Sequence, residues 1–260
     1  MPILDEIKKI VVESGNNFHC QVTNFLKEKG WQTLVSPYYM DGATNKPREI
    51  DLIAENHWSR ERDFGRGNSG ALIIKLFIEC KYISQPTVFW FSKKDIGAAT
   101  KWVNSNTPLE SIDNKYTQKH HYLSSSGEVA KLFASKNIRG AENEVIYRAL
   151  NQSLNAMVYL RGRESIIPDI QSGRIPELAS VEMPVILCNS FSNFYRVEMD
   201  NQSTPEPVNE NFQLEVNYAY RDLQGNHRSE YFLLDVVDFN KIEDYLKVLE
   251  ADKDAMFVFV

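Results

Sequence analysis

Cysteine is scarce in this chain. There are three in 260 residues, an odd number, and no two fall at C-x-x-C spacing. A zinc site is therefore not expected. Cys20 and Cys80 sit in helix-like and strand-like contexts and read as buried small hydrophobes, with the cytosol as the natural compartment. Long apolar runs are missing too: none approaches the roughly 18–20 residues that span a bilayer. The N-terminus, Met1-Pro2-Ile3-Leu4-Asp5-Glu6, lacks the basic stretch and apolar core of a secretory signal, so none is expected. No internal repeat or low-complexity tract occurs. An excess of positive charge is also absent, since the formal net charge is −6. That balance weakens the case for tight non-specific nucleic-acid binding, although its distribution matters more than its sum. Residues 1–170 hold 22 basic and 19 acidic side chains, and residues 171–260 hold 7 and 16. The acidity is concentrated at the C-terminal end. The remaining composition, 43% hydrophobic and 25% charged, is that of an ordinary globular protein.

Two short segments about thirty residues apart carry the chemistry: Arg48-Glu49-Ile50-Asp51-Leu52-Ile53-Ala54 and Phe77-Ile78-Glu79-Cys80-Lys81-Tyr82. Each is an apolar, strand-like run broken by charge. Side chains alternate along a strand, so Glu79 and Lys81 share one face and Ile78 and Cys80 the other. Either segment alone reads as the solvated face of a strand. Together, in order, at hairpin spacing and behind a helix, they read as a site. Two carboxylates make a hard oxygen site suited to Mg²⁺. A lysine beside them orients or polarises water, or neutralises developing negative charge.

Helical spacing of Ile3, Ile7, Ile10 and Val11, then of Phe18, Val22, Phe25 and Leu26, predicts a short helix followed by a longer one. Asn16 or Asn17 is the expected cap of the second, and Gly30 its end. Strands are expected over 31–39, 49–54 and 71–83, the last covered on both sides. Ser92, with Asp95 three residues on, predicts a capping box for a helix through Trp102-Val103. The cluster Val88-Phe89-Trp90-Phe91 is expected in the core. Residues 104–127 read as a polar surface segment. Its adjacent His120 and His121 point apart on either a helix or a strand, so a shared metal is not expected. A helix over 142–160 closes on Arg161 and Arg163, which favour a helix C-terminus or meet phosphate. Strands follow at 183–189 and 194–198, with a hairpin at 212–220 and 231–237 and a helix at 244–252.

The pattern Asp51…Glu79-Cys80-Lys81 resembles the signature of the PD-(D/E)XK, or restriction-endonuclease-like, nucleases. In that superfamily a helix precedes a β-hairpin carrying the Asp, and a strand carrying Glu-x-Lys follows. Here residues 3–31 take the helix position, with Gly15-Asn16-Asn17-Phe18 at the middle and Gly30-Trp31 at the end. The resemblance covers about residues 10–105, with a weaker match near 143–190. The usual Pro-Asp reads Ile50-Asp51, and the Glu that many members carry on the first helix has His19 and Gln21 as nearest counterparts.

The resemblance implies a Mg²⁺-dependent endonuclease acting on DNA, with Mn²⁺ able to substitute. Asp51, Glu79 and Lys81 are the expected catalytic residues. Asp51, Glu79 and the backbone carbonyl of Cys80 would hold the metal, and Glu49 would serve a second ion or stand exposed. The polar stretch 59–70, with Arg60, Arg62 and Arg66, reads as a solvated hairpin tip or a DNA-contacting loop. Lys93 and Lys94 join it as expected nucleic-acid contacts. The expected fold is α/β: a mixed central sheet flanked by helices, a restriction-endonuclease-like core, with a β-rich C-terminal extension. The core would span 1–190 with a polar insertion at about 104–140, and the acidic extension 191–260 would pack on it. The expected partners are DNA and, through the C-terminal part, a second copy or another protein, with no membrane. The rival expectations are a catalytically inactive nucleic-acid-binding or assembly module of the same fold, and a protein-interaction domain using the acidic C-terminal part.

Overall fold

The computed structural model describes residues 2–13, 15–42, 44–60, 70–109, 114–135, 144–199, 204–222 and 224–257. Two helices open the chain, α1 (Pro2–Glu13) and α2 (Asn16–Glu28). Five strands follow: β1 (Gln32–Val35), β2 (Tyr38–Asp41), β3 (Lys46–Glu49), β4 (Leu52–Arg60) and β5 (Gly70–Lys81). Next come β6 (Thr87–Lys93), α3 (Ile96–Asn106), the single turns α4 (Asn114–Thr117) and α5 (His121–Ser124), and β7 (Glu128–Ser135). The long helix α6 (Val145–Leu160) and the short α7 (Pro168–Gln171) lead into β8 (Glu177–Cys188). The chain finishes with β9 (Phe194–Glu198), β10 (Glu206–Pro207), β11 (Phe212–Arg221), β12 (His227–Asp238) and α8 (Ile242–Met256).

The architecture is α/β, with a ten-stranded mixed sheet flanked by helices. The strand order is β1-β4-β5-β8-β12-β11-β7-β6-β9-β10. The first three strands pair antiparallel, and β5, β8 and β12 run parallel. β5 is central for a reason visible in its composition: from Gly70 to Cys80 every residue is buried, as a strand covered on both faces requires. α6 packs across β5 and β8 and is pinned by Ser153 Oγ donating to the Phe77 carbonyl at 2.9 Å. α2 packs over β1, β4 and β5 through Phe18, Val22 and Leu26. The expected C-terminal extension is continuous with the sheet: β12 and β11 lie in its middle, between β8 and β7. Among the described residues no helix is long and apolar enough to cross a membrane.

Several local expectations change. The cap position of α2 is Gly15, with no side-chain bond, and Asn16 is already helical. β6 runs on through Lys93, so Asp95 rather than Ser92 caps α3, accepting from Ala98 N at 2.9 Å. Cys80 and Cys188 are buried, but Cys20 is exposed. The polar composition of 104–127 hides buried Thr117, His120, His121 and Tyr122, so this is not a surface segment. The core expectation for the aromatic run holds for Phe89 and Phe91, packed edge-on or tilted against Phe212 and Phe194, while Val88 and Trp90 are half-buried.

The most consequential difference is a bend. The expected strands 31–39 and 49–54 are each broken, so one long hairpin divides into β1/β4 within the main sheet and the β2/β3 ribbon outside it. Ser36 adopts φ 53, a left-handed conformation rare for a residue with a Cβ, immediately before Pro37. Two bonds stitch the corner, Ser36 N to Asp51 O at 3.0 Å and Ile50 N to Pro37 O at 3.2 Å. The ribbon leans on α6, where Tyr39 stacks on Tyr159 with centroids 6.4 Å apart.

Candidate active site

Asp51 sits at the corner, one residue before β4 begins, and falls opposite Glu79 in the register that pairs Leu52 with Ile78. With the ladder broken here, side chains replace main-chain partners. Asp51 N donates to Glu79 Oε1 at 3.3 Å, and Cys80 N donates to Asp51 Oδ2 at 2.8 Å. This exchange fixes both carboxylates against the backbone. Lys81 Nζ then reaches Glu79 Oε2 at 2.6 Å and Asp51 Oδ2 at 3.5 Å. The three residues expected from the sequence are therefore brought together.

A fourth joins them. His19, on α2, places Nε2 3.3 Å from Asp51 Oδ2, whereas Gln21 is exposed on the same helix. Cys80, Lys81 and His19 all meet Asp51 at Oδ2, and among the described residues no hydrogen bond reaches Oδ1. The side chains of Asp51, Lys81 and His19 are 15–21% exposed, and that of Glu79 is fully buried. The site is therefore partly exposed to solvent, above a buried Glu79.

The electrostatics follow from that burial. Loss of solvent pushes the Glu79 carboxyl up to about 8, despite the nearby Lys81 ammonium. Burial also acts on Asp51, but the hydrogen bond from His19 and the charge of Lys81 outweigh it and hold its carboxyl below the usual range. Lys81 is held above its ordinary value, burial being outweighed by Glu79 and Asp51. The Cys80 thiol is driven up by burial and by both carboxylates, so its sulfur stays protonated and ligates poorly. Its main chain is better placed. Cys80 N–H points at Asp51, and the C=O of a strand residue points to the same side as its N–H. Asp51, Glu79, the Cys80 carbonyl and His19 thus form an oxygen-rich donor set with one imidazole. His19 Nε2 spends its proton on Asp51 Oδ2 across 3.3 Å and would have to release it to join an ion.

The other expected site residues stand elsewhere. Glu49 stands apart from Asp51, because the break after β3 puts it in the ribbon, opposite Tyr38. Arg60 ends β4 at the far end from Asp51, nine residues or about 30 Å along the strand. Arg62 and Arg66 lie outside the described residues. Lys93 and Lys94 belong to the β6 region, five strands or about 24 Å from β5. Lys94 is no surface contact at all. Its ammonium is buried, donates to the Tyr122 carbonyl at 2.8 Å, and is pushed down to about 8 by loss of solvent.

A second polar centre was not expected. His121 lies between two buried aspartates, its Nδ1 bonded to Asp252 and its Nε2 3.1 Å from Asp235 Oδ2. Tyr122 and Tyr245 donate their hydroxyls to the same Asp235 oxygen, at 3.2 and 3.0 Å. Burial disfavours the imidazolium, yet the two carboxylates raise it to about 10. His120 occupies the N-cap of α5, so the backbone turns between the two histidines and their rings stack, centroids 4.9 Å apart. That cap is what the helix-or-strand alternative missed. His120 Nδ1 accepts from Tyr122 N, so its Nε2 carries the proton, and burial keeps the ring neutral by depressing it to about 4. Nε2 therefore presents no lone pair to Asp252, and the cluster is a proton-linked crosslink of α5, β12 and α8 rather than a metal centre. Its signal was in the sequence: Asp235 interrupts the apolar run Phe232–Val237, just as Asp51 and Glu79 interrupt theirs.

The chain matches no protein-family model, no curated protein and no solved structure.

Proposed function

We propose that this protein is a metal-dependent phosphodiester hydrolase of the restriction-endonuclease-like type, acting on DNA. One observation carries the reading: Asp51 and Glu79 lock each other through backbone amides while the partly exposed Lys81 spans both. The order of elements around them supports it. Helix α2, the bent β1/β4 hairpin, β5, α6 and the parallel β8 follow the sequence of helix, Asp-bearing hairpin, Glu-x-Lys strand, helix and strand that the resemblance implies.

The donor set suits a small divalent cation, which when bound would polarise the scissile phosphate and lower the pKa of water. Asp51 and Glu79 would hold it, with the Cys80 carbonyl and His19 completing the protein's share. Glu79 must shed the proton that burial favours, so it is the group that links ion binding to pH. Lys81, kept cationic by its neighbours, orients water and offsets charge at the phosphate rather than accepting a proton.

The test is incubation of wild type and Lys81→Ala with plasmid, linear and single-stranded DNA in Mg²⁺, Mn²⁺ or EDTA. The expected outcome is cleavage by wild type in metal only, and none by Lys81→Ala. Equal cleavage by both proteins, or cleavage in EDTA, would sink the reading.

A further inference from the structure

The middle residue of Glu79-Cys80-Lys81 projects from the opposite face of β5 to its two neighbours. On that face the Cys80 sulfur, a ring nitrogen of His19 and a carboxylate oxygen of Asp51 all lie within 4.8 Å of one another. The backbone N–H of Cys80 is spent on Asp51, but among the described residues no hydrogen bond reaches its thiol, which is buried at 5% exposure. His19 and Asp51 are partly exposed and give an ion its way in. The three donors come from α2, the hairpin corner and β5, so no short cysteine or histidine spacing announces them.

The donors differ in kind. Mg²⁺ takes oxygen and leaves a thiol alone, whereas Zn²⁺ takes sulfur, imidazole nitrogen and carboxylate oxygen together. Three protein ligands with a fourth position for water is a common arrangement for an accessible zinc ion. A buried thiol that Mg²⁺ leaves protonated is deprotonated outright by a thiophilic ion. Coordination replaces the Cys80 S–H bond, and the His19 N–H bond that meets Asp51, by bonds to the metal, and both protons pass to the buffer. The thiolate and the Asp51 carboxylate then carry two negative charges, which a divalent ion cancels. We propose that His19, Asp51 and Cys80 form a site for a thiophilic divalent cation, Zn²⁺ by chemical class, on the α2 side of β5. This site shares Asp51 with the oxygen donors around Glu79. Its consequence rests on the hydrolase reading: the bound ion takes Asp51 from Mg²⁺ and stops cleavage.

The experiment is an ultraviolet titration with Cd²⁺, which stands in for Zn²⁺ and reports a sulfur–metal bond as a charge-transfer band. The parent protein is Cys20→Ser, which removes the exposed thiol on α2. The band should saturate at one equivalent of Cd²⁺ in the parent. It should be absent when Cys80→Ala or the volume-conserving Cys80→Ser is added, with circular dichroism confirming that the variant used is folded. Zn²⁺ affinity, measured against a chromophoric chelator, should fall at least roughly tenfold in His19→Ala. No band in the parent, a band that survives the loss of Cys80, or unchanged Zn²⁺ affinity in His19→Ala would overturn the proposal. The two readings fail separately. Cd²⁺ held through Cys80 in a protein that cleaves no DNA in Mg²⁺ or Mn²⁺ upholds this site and removes the hydrolase. Metal-dependent cleavage by a parent that shows no band does the reverse. Where both hold, one equivalent of Zn²⁺ should abolish Mn²⁺-dependent cleavage by the parent, and undiminished cleavage would overturn the competition for Asp51.

Discussion

Two regions of this protein bring an imidazole against carboxylates, and burial sends them in different directions. At His121 the ring is sealed between Asp235 and Asp252, and two tyrosine hydroxyls occupy the remaining capacity of Asp235. These side chains are buried, and His121, Asp235 and Tyr245 border a cavity of about 710 Å³. At Asp51 the same residue types stand at the break of a hairpin, partly exposed, with one carboxylate oxygen free of partners among the described residues. A carboxylate–imidazole contact is therefore a clamp where burial and hydroxyl donors engage it, and a candidate binding site where it stands partly exposed. The difference arises from the backbone. Asp235 lies within a continuous ladder, whereas Asp51 lies where the ladder fails.

The comparison can be broken from either side. The largest expected effect is on catalysis. Glu79→Gln should lower metal-dependent cleavage by about 10²–10⁴-fold, the range of a lost catalytic group. It should also leave the fold intact and slightly more stable at pH 8, because a carboxylate whose ionisation burial opposes has been removed. Cleavage assays and urea denaturation of the same preparations check both halves.

The clamp should show the opposite pattern. His121→Gln leaves two buried aspartates without their cation, a change that costs about 3–5 kcal/mol. The urea midpoint should fall accordingly, while cleavage per folded molecule stays within about twofold of wild type. Loss of cleavage beyond the loss of folded protein would place His121 in the catalytic machinery instead.

Stability against pH sharpens the contrast. His121 is raised in the folded state from 6.5 to about 10, so its contribution is complete below pH 6.5 and is lost as pH rises towards 10. Glu79 is raised from 4.5 to about 8, so the folded state holds its proton more tightly and stability falls as pH rises through that lower window. Wild type should therefore lose stability from about pH 4.5 to 10. Glu79→Gln should flatten only the part below pH 8, and a curve identical to wild type would show that Glu79 titrates normally. By the same proton, metal affinity of wild type should climb with pH and level off near 8, as calorimetric titration would record.

The smallest effects belong to Lys93, which ends β6, and Lys94 just after it. Lys94→Met should change stability by about 1–2 kcal/mol, through the buried bond to Tyr122, and leave DNA affinity unchanged. Lys93→Ala, exposed and far from Asp51, should alter stability by under about 0.5 kcal/mol and affinity by less than twofold. Anisotropy titrations that showed a large loss for either would restore β6 as a nucleic-acid surface.

Much of this was legible in the sequence because strand chemistry is local. The run around Glu79 announced a strand buried on both faces, and alternation placed Lys81 beside Glu79 without any tertiary information. The approach of Asp51 followed from the order of the two segments. The bend at Ser36 and Pro37 did not, because it depends on a left-handed serine and on the ribbon leaning against α6. A straight strand would have put Glu49 on the face of Asp51. His19 was one of two candidates on α2, and only the packing angle of that helix separates it from Gln21. The His121 clamp escaped because its partners come from α5, β12 and α8, more than a hundred residues apart. The polarity of 104–127 also disguised a buried turn as surface.

The measurement that tests the account most directly is the rate of metal-dependent DNA cleavage per folded molecule, taken side by side for wild type, Glu79→Gln and His121→Gln in Mn²⁺. The account predicts near-total loss in Glu79→Gln and a rate close to wild type in His121→Gln. Retained cleavage in Glu79→Gln, with loss in His121→Gln, would contradict it and move the chemistry to the buried cluster.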